Sequence, residues 1–264
     1  MKKCIYCKKE KDEIAPDPIV PAAPQGITVA QTNTAIYNKL TATWCPPCGS
    51  WGWELSNDIT ADIGTDGITM ATYGSSSSSY GNTDFYNQTA ADFKAGFAPT
   101  AGWPAFCVNG VNITQYVGSG IDTGTTHTNA INAINDHKNA PVVANSGYTT
   151  SISGNTLTIE TRTKFFADLL GEYYIGAYVI EDGVLHIQAN QSGSVAHHHV
   201  LRGTADDSTW GELITSASTT GSTFDHTFTI TLGSSWVQSN IEVATVIWKK
   251  NGSTYEFVNA HMNH

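Results

Sequence analysis

Apolar positions recur with two different rhythms along the chain, and the change falls near Pro141. Before it, short apolar runs alternate with segments of helical spacing. "GITVAQT" (26–32) and "AIYNKLTAT" (35–43) read as strands, and "GITMATYG" (67–74) reads as a buried one. In "SWGWELSNDITADIG" (50–64), Trp51, Leu55 and Ile59 share one helical face, although Gly52 weakens the pattern. "TAADFKAGF" (89–97) predicts a short helix, and "THTNAINAINDHKNA" (126–140) predicts another with Ile131 and Ile134 on one side. "WPAFCVNGVNIT" (103–114) predicts a hairpin turning at Asn109-Gly110, a pair that tolerates the positive φ angles of a type I′ turn. Strands interleaved with helices imply an α/β layer structure over residues 27–141.

Beyond Pro141 the rhythm is period-two alternation, in the stretches 146–166, 172–188, 197–203, 223–233 and 240–260. Gly, Asn and Asp separate them; "EDG" (181–183) and "KNGS" (250–253) predict hairpin turns. Regular strands without helices between them predict an all-β, immunoglobulin-like sandwich over 142–264. Ahead of both, residues 8–26 pass from a run of charges to a run of prolines, which cannot bury apolar area. Residues 1–26 therefore read as a tether.

Composition narrows the functional classes. The chain has 264 residues, of which 40% are hydrophobic and 14% charged, with a net charge of −10. That is apolar enough to fill cores without staples. It carries no basic patch to neutralise phosphates, so a nucleic-acid partner is not expected. A polar surface built from Ser, Thr, Asn and Gly is the style of secreted and envelope proteins. No apolar run reaches the roughly 18 residues of a spanning helix, and Met1–Cys7 has two lysines but no apolar core of a secretory signal. No P-loop, dinucleotide fingerprint, zinc-protease or serine-hydrolase motif occurs. Asp206 and Asp207 lie near Trp210 without a partner carboxylate at fixed spacing, so no glycosidase pair is read.

The chemistry centres on "TWCPPCG" (43–49). Five cysteines, an odd number, exclude a fully paired framework. Cys45 and Cys48 admit three readings. Structural zinc needs a second pair, which "CIYC" at Cys4 and Cys7 supplies only from the tether. A purely structural disulfide between residues this close constrains the unfolded chain very little. The redox reading uses more of the context. An apolar strand leads in and a helical pattern follows, so Cys45 is expected at a helix N-terminus, where free N–H groups favour a thiolate. Cys48, one turn on, is then the resolving thiol. Pro46 and Pro47 occupy positions that need no donor, and Trp44 shields one side. His197, His198 and His199 invite a metal reading in which His197 and His199 share a strand face with His186 or His226 as a third ligand. Ordinary surface or sheet histidines are the plainer alternative, and no metal site and no cofactor are expected. The serine run 75–79 reads as a loop between a strand and a helix.

"WCPPC" after a strand resembles the active-site motif of thioredoxin-fold proteins, especially membrane-anchored envelope reductases. The resemblance implies a cis-proline facing the cysteines just before a strand. "GWPAFCVNG" is similar to that element, with Pro104 following Trp103. It further implies Cys45 as attacking and Cys48 as resolving thiol, with Trp44, Trp103 and Pro104 at the substrate. Protein or peptide thiols and disulfides would be the substrates, and a partner oxidoreductase the electron source. One position departs from the pattern: the buried carboxylate that thioredoxins hold six residues before the first cysteine is here Lys39. Cys107, in the strand after Pro104, reads as a buried, unreactive thiol. In the second half, "HHHVLRG", "WGEL" and "VATVIWKKNGSTYEFVNA" are similar to the twenty-eight-kilodalton outer-membrane-protein family of envelope lipoproteins. That resemblance implies a thioredoxin-like half joined to a β-sandwich half, a periplasmic or surface location, and a lipid anchor at Cys7 that ties the chain to a membrane surface. It equally allows a non-catalytic surface binding module, an adhesin or an accessory subunit, with an inert cysteine pair.

Overall fold

The computed structural model describes residues 26–75, 85–118 and 120–263. The expected tether, including Cys4, Cys7 and the start of the chain up to residue 25, lies outside them, as does most of the serine run. Up to residue 139 the elements are β1 (Ala35–Thr41), α1 (Trp51–Ile63), β2 (Gly67–Tyr73), α2 (Gln88–Phe97) and β3 (Ala105–Val108). The short strands β4 (Val111–Asn112), β5 (Tyr116–Val117) and β6 (Gly120–Ile121) follow, and then α3 (Thr123–Asn139). The rest is strand: β7 (Ala144–Ser153), β8 (Thr156–Phe165), β9 (Leu169–Glu181), β10 (Val184–Ile187) and β11 (Ser194–His197). The series ends with β12 (Val200–Thr204), β13 (Glu212–Ser218), β14 (Thr223–Thr231), β15 (Ile241–Asn251) and β16 (Thr254–Met262). Among the described residues no helix is long and apolar enough to cross a membrane.

Strand β1 runs parallel to β2 and antiparallel to β3, and every residue of β1 and β2 is buried. Alternation sends Ile36 and Leu40 to one face, where Phe93 and Phe97 of α2 cover them. Ala35 and Tyr37 face the other way, onto Leu55, Ile59 and Ile63 of α1 and Ile134 of α3. The four-residue spacing of Leu55, Ile59 and Ile63 keeps them on one side of α1. Local signals start the other two helices: the Asn87 side chain accepts from the Ala90 N–H, and Asp122 accepts from the Thr125 N–H.

One sheet crosses the change of rhythm at Pro141. Strand β12 lies parallel to β2, with Val200 opposite Ala71, and antiparallel to β9. The nine-stranded order is β16-β15-β9-β12-β2-β1-β3-β4, with β13 beside β9. The core is shared accordingly: α2 sets Phe93 against Tyr178 of β9 at 5.6 Å and Phe97 against Trp248 of β15 at 6.0 Å between ring centroids. A second sheet, β14-β8-β7, lies over β9 and β15, burying Ile159, Phe165 and Phe228 against Ile175, Val179 and Ile247. The fold is β-rich, with two sheet layers in the second segment, and the larger layer is continuous with the strands of the first.

Three local expectations change. Residues 26–32 form no strand, because side-chain amides take their carbonyls: Asn145 Nδ2 donates to Ala30 O at 3.0 Å and Asn259 Nδ2 to Thr32 O at 2.8 Å. "EDG" is not a hairpin between its flanking strands. Glu181 ends β9, and β10 leaves the large sheet to pair with β11. "HHHVLRG" is broken, because His199 adopts φ 56° between β11 and β12. The turn at Asn109-Gly110 is as expected, with φ 52° and 79° joining antiparallel β3 and β4.

Candidate functional site

Cys45 and Cys48 are joined in a disulfide at the C-terminal end of β1. The expected single helix behind them is in two pieces. Pro47–Gly49 form one tight 3₁₀ turn, Ser50 leaves helical geometry with φ −117° and ψ −114°, and α1 starts at Trp51. The backbone donor presented to Cys45 is the Cys48 N–H, 3.2 Å from Sγ. Pro104 and its neighbours close the other side. The Trp103–Pro104 peptide is cis, and a Cβ at Gly52 would stand 2.6 Å from the Pro104 ring. Gly52 thus trades helix propensity for a close approach of α1 to Pro104. Trp44 and Trp103 pack on the cysteine pair and meet edge to face at 6.4 Å. Trp44 Nε1 donates to Ser75 O at 2.6 Å. Four expected positions, Trp44, Cys45, Cys48 and Trp103, therefore form one cluster, with Pro104 beside it.

Both cysteines are nevertheless buried, Cys45 at 2% exposure and Cys48 at 0%. The loop between β10 and β11, residues 188–193, lies across the cysteine turn as a strap. The Ala189 N–H donates to Thr43 O at 2.8 Å. Gln188 Nε2 donates to Ala42 O and Cys45 O, both at 3.2 Å. Asn190 Nδ2 reaches Pro46 O at 3.2 Å, and Gln191 Nε2 reaches Gly49 O at 2.6 Å. Gly49 allows the contact, since a Cβ there would stand 1.7 Å from Ala189 O. Nothing in "QANQSG" signals this role: the segment is polar, and its partners are backbone carbonyls far away in sequence.

Cys107 sits opposite Asn38 on β3, fully buried, and burial pushes its thiol up to about 12. It is a free thiol packed in the core. The histidine triplet is divided. His197 is buried with both ring nitrogens engaged, Nδ1 with the Tyr73 hydroxyl at 2.7 Å and Nε2 near His186 O at 3.3 Å. His198 is exposed and pairs with Asp182 at 2.9 Å. His199 turns the chain, and its Nδ1 is buried without a hydrogen-bond partner among the described residues. Among those residues no group of three His, Cys, Asp or Glu is placed to hold a metal ion.

Burial pulls the His197 imidazole down to about 4. A base depressed in the folded state binds more protons when unfolded, so stability rises with pH between the two values. The contribution is complete above about pH 6.5 and is lost as pH falls toward 4. Urea denaturation at pH 7 and pH 4.5 should show the wild-type chain losing on the order of 2 kcal/mol more than His197→Gln. Equal losses would remove His197 as the sensor.

The family model described as "Outer membrane protein Omp28" matches residues 111–262, which begin beyond the cysteine pair. No curated protein matches the chain by sequence. Among solved structures the chain is similar to HBP35 of Porphyromonas gingivalis, with 12% identity, a TM-score of 0.68, and 89% of this chain and 76% of that one covered. At that identity the likeness is one of fold. A domain of the outer membrane lipoprotein Omp28 from Porphyromonas gingivalis aligns more loosely, with 14% identity, a TM-score of 0.30, and 47% of this chain and 88% of that one covered.

Proposed function

The chain belongs to the Omp28 outer membrane protein family and works in the cell envelope; from that premise we propose that it exchanges thiols and disulfides with protein substrates through Cys45 and Cys48. In this reading residues 27–141 are a thioredoxin-like unit and 142–264 an immunoglobulin-like sandwich that covers and presents it. The observation that carries the reading is a disulfide set between two tryptophans and beside Pro104. In the reduced protein a Cys45 thiolate, facing the Cys48 N–H, attacks a substrate disulfide. A Cys45–substrate bond forms and one substrate thiolate leaves. Cys48, deprotonated, then attacks Cys45 Sγ, the internal disulfide forms, and the second substrate thiolate departs. Two electrons pass to the substrate, and a partner oxidoreductase restores the dithiol. Trp44 and Trp103 flank the bound peptide and Pro104 borders it.

Insulin reduction driven by dithiothreitol tests the exchange. The wild-type chain accelerates it, and Cys45→Ser returns the rate to background, while Cys107→Ser leaves it unchanged. No acceleration by the wild-type chain would remove the enzymatic reading. A second reading, a non-catalytic surface binding module, is favoured by the 2% exposure of Cys45 beneath the strap. Lipid anchoring at Cys7 belongs to the same proposal, and an intact mass without acyl chains on envelope-purified protein would dismiss it.

A further inference from the structure

Lys39 is a cation in the wrong kind of place. It is 7% exposed in the centre of β1, on the face toward α1. Among the described residues it has no ion pair and no hydrogen bond; its Nζ sits 4.6 Å from the centroid of the Trp53 ring. Burial lowers its ammonium to about 8, so it keeps its charge at neutral pH. An uncompensated buried charge is costly, and proteins normally pair it or replace it. The chain does neither here.

What lies beside Lys39 is an opening of about 340 Å³, within the range of small-ligand sites. Trp53 forms one wall, Ser56 and Asn57 contribute polar side chains from α1, and His198 and His199 come from the turn that leads into β12. No Asp or Glu lines it. Asp182, beside the two histidines, is already engaged: it pairs with the His198 ring at 2.9 Å and accepts the His199 backbone N–H at 3.2 Å. His199, whose buried Nδ1 has no hydrogen-bond partner among the described residues, belongs to the same wall. A charged donor, imidazole, hydroxyl and amide side chains and a flat aromatic face line one space.

We propose that this pocket binds a small organic carboxylate, its head group on Lys39 and His199 and its apolar body against Trp53. Such a ligand supplies the counter-charge that Lys39 lacks, and a hydrogen-bond partner for His199. The pocket opens on the α1 face of the sheet, and none of the residues lining it is a cysteine. Binding therefore stands or falls independently of the thiol chemistry.

The test is thermal unfolding of the full chain with benzoate, phenylacetate and hexanoate, each beside its neutral amide, and with inorganic phosphate. At a carboxylate concentration far above its Kd the wild-type Tm should rise by about 4 °C or more, and the amides should leave it unmoved. Lys39→Met keeps the length and removes the charge. Its Tm without ligand should equal or exceed the wild type, and its response to carboxylates should vanish. Should that variant misfold, His199→Asn, which suits the left-handed backbone at φ 56°, provides a second check with binding weakened several-fold. Equal shifts with acids and amides, an undiminished response in Lys39→Met, or no shift with any carboxylate would overturn the assignment. A shift with phosphate alone would overturn the carboxylate as its ligand.

Discussion

Dithiothreitol reduces the Cys45–Cys48 disulfide of a Gly49→Ala variant on the order of ten to a hundred times faster than that of the wild-type chain. The expectation follows from the strap. Gly49 has an ordinary backbone conformation, so alanine is conformationally acceptable, but its Cβ would stand 1.7 Å from Ala189 O and 2.9 Å from Gln188 Cγ. The nearer atom is backbone, so the strap must lift. Lifting it breaks hydrogen bonds from Gln188, Ala189, Asn190 and Gln191 to the carbonyls of residues 42–49. Each contributes about 0.5 kcal/mol at the low end, so closure is worth about 2–3 kcal/mol. In the wild-type chain a reductant reaches the buried sulfurs only through the minor open state, and its rate is scaled by that population. The measurement is timed reduction, acid quench, alkylation and intact mass. A rate unchanged in Gly49→Ala, with the fold retained by circular dichroism, would mean that the strap does not limit access. The same variant bears on the proposed exchange, which gains from opening if substrate entry is gated there.

The largest expected loss of stability lies at the join between the two segments. Arg202 of β12 and Glu181 of β9 form an ion pair with Nε to Oε2 at 2.7 Å, and their side chains are 1% and 2% exposed. Glu181 Oε1 also accepts the Val237 N–H at 2.7 Å, and the guanidinium lies over Phe85 and Trp236 at 5.1 and 5.5 Å from their centroids. Arg202→Met leaves a carboxylate buried without its cation and should cost about 3–5 kcal/mol. For a chain of this size that is a fall in Tm of about 10 °C. Adding Glu181→Gln removes the stranded charge while its amide oxygen still accepts from Val237, so the double variant should regain most of the loss. Thermal or urea unfolding of the three variants decides the matter. A single variant within about 1 kcal/mol of wild type would show that water reaches the pair.

Much of the molecule was readable without coordinates, and particular residues show why. Leu55 and Ile59 on α1, Asn109-Gly110 at the β3–β4 turn and the alternation in β8 and β14 act through local geometry. Period and turn chemistry are written in neighbours. The placement of Trp103 and Pro104 near Trp44, Cys45 and Cys48 was expected only through the resemblance to thioredoxin-fold proteins, not from any local pattern. Gly52 lowers the helix propensity of α1, and only the fold shows what its missing side chain gives in return, room for Pro104. "EDG" was misread as a hairpin because its turn residues are correct, while the partner of β10 is chosen by β11.

The chain's own order of residues determined the elements, their apolar faces and the cysteine turn, since each depends on interactions within about a dozen positions. Tertiary structure alone decided three things: that β12 joins β2 and makes one sheet of two segments, that residues 188–191 cover Cys45, and that Lys39 faces an open pocket with His199. Those contacts link positions more than a hundred residues apart. They rest on backbone carbonyls, uncompensated charge and close approach at glycine, none of which leaves a periodic trace in sequence.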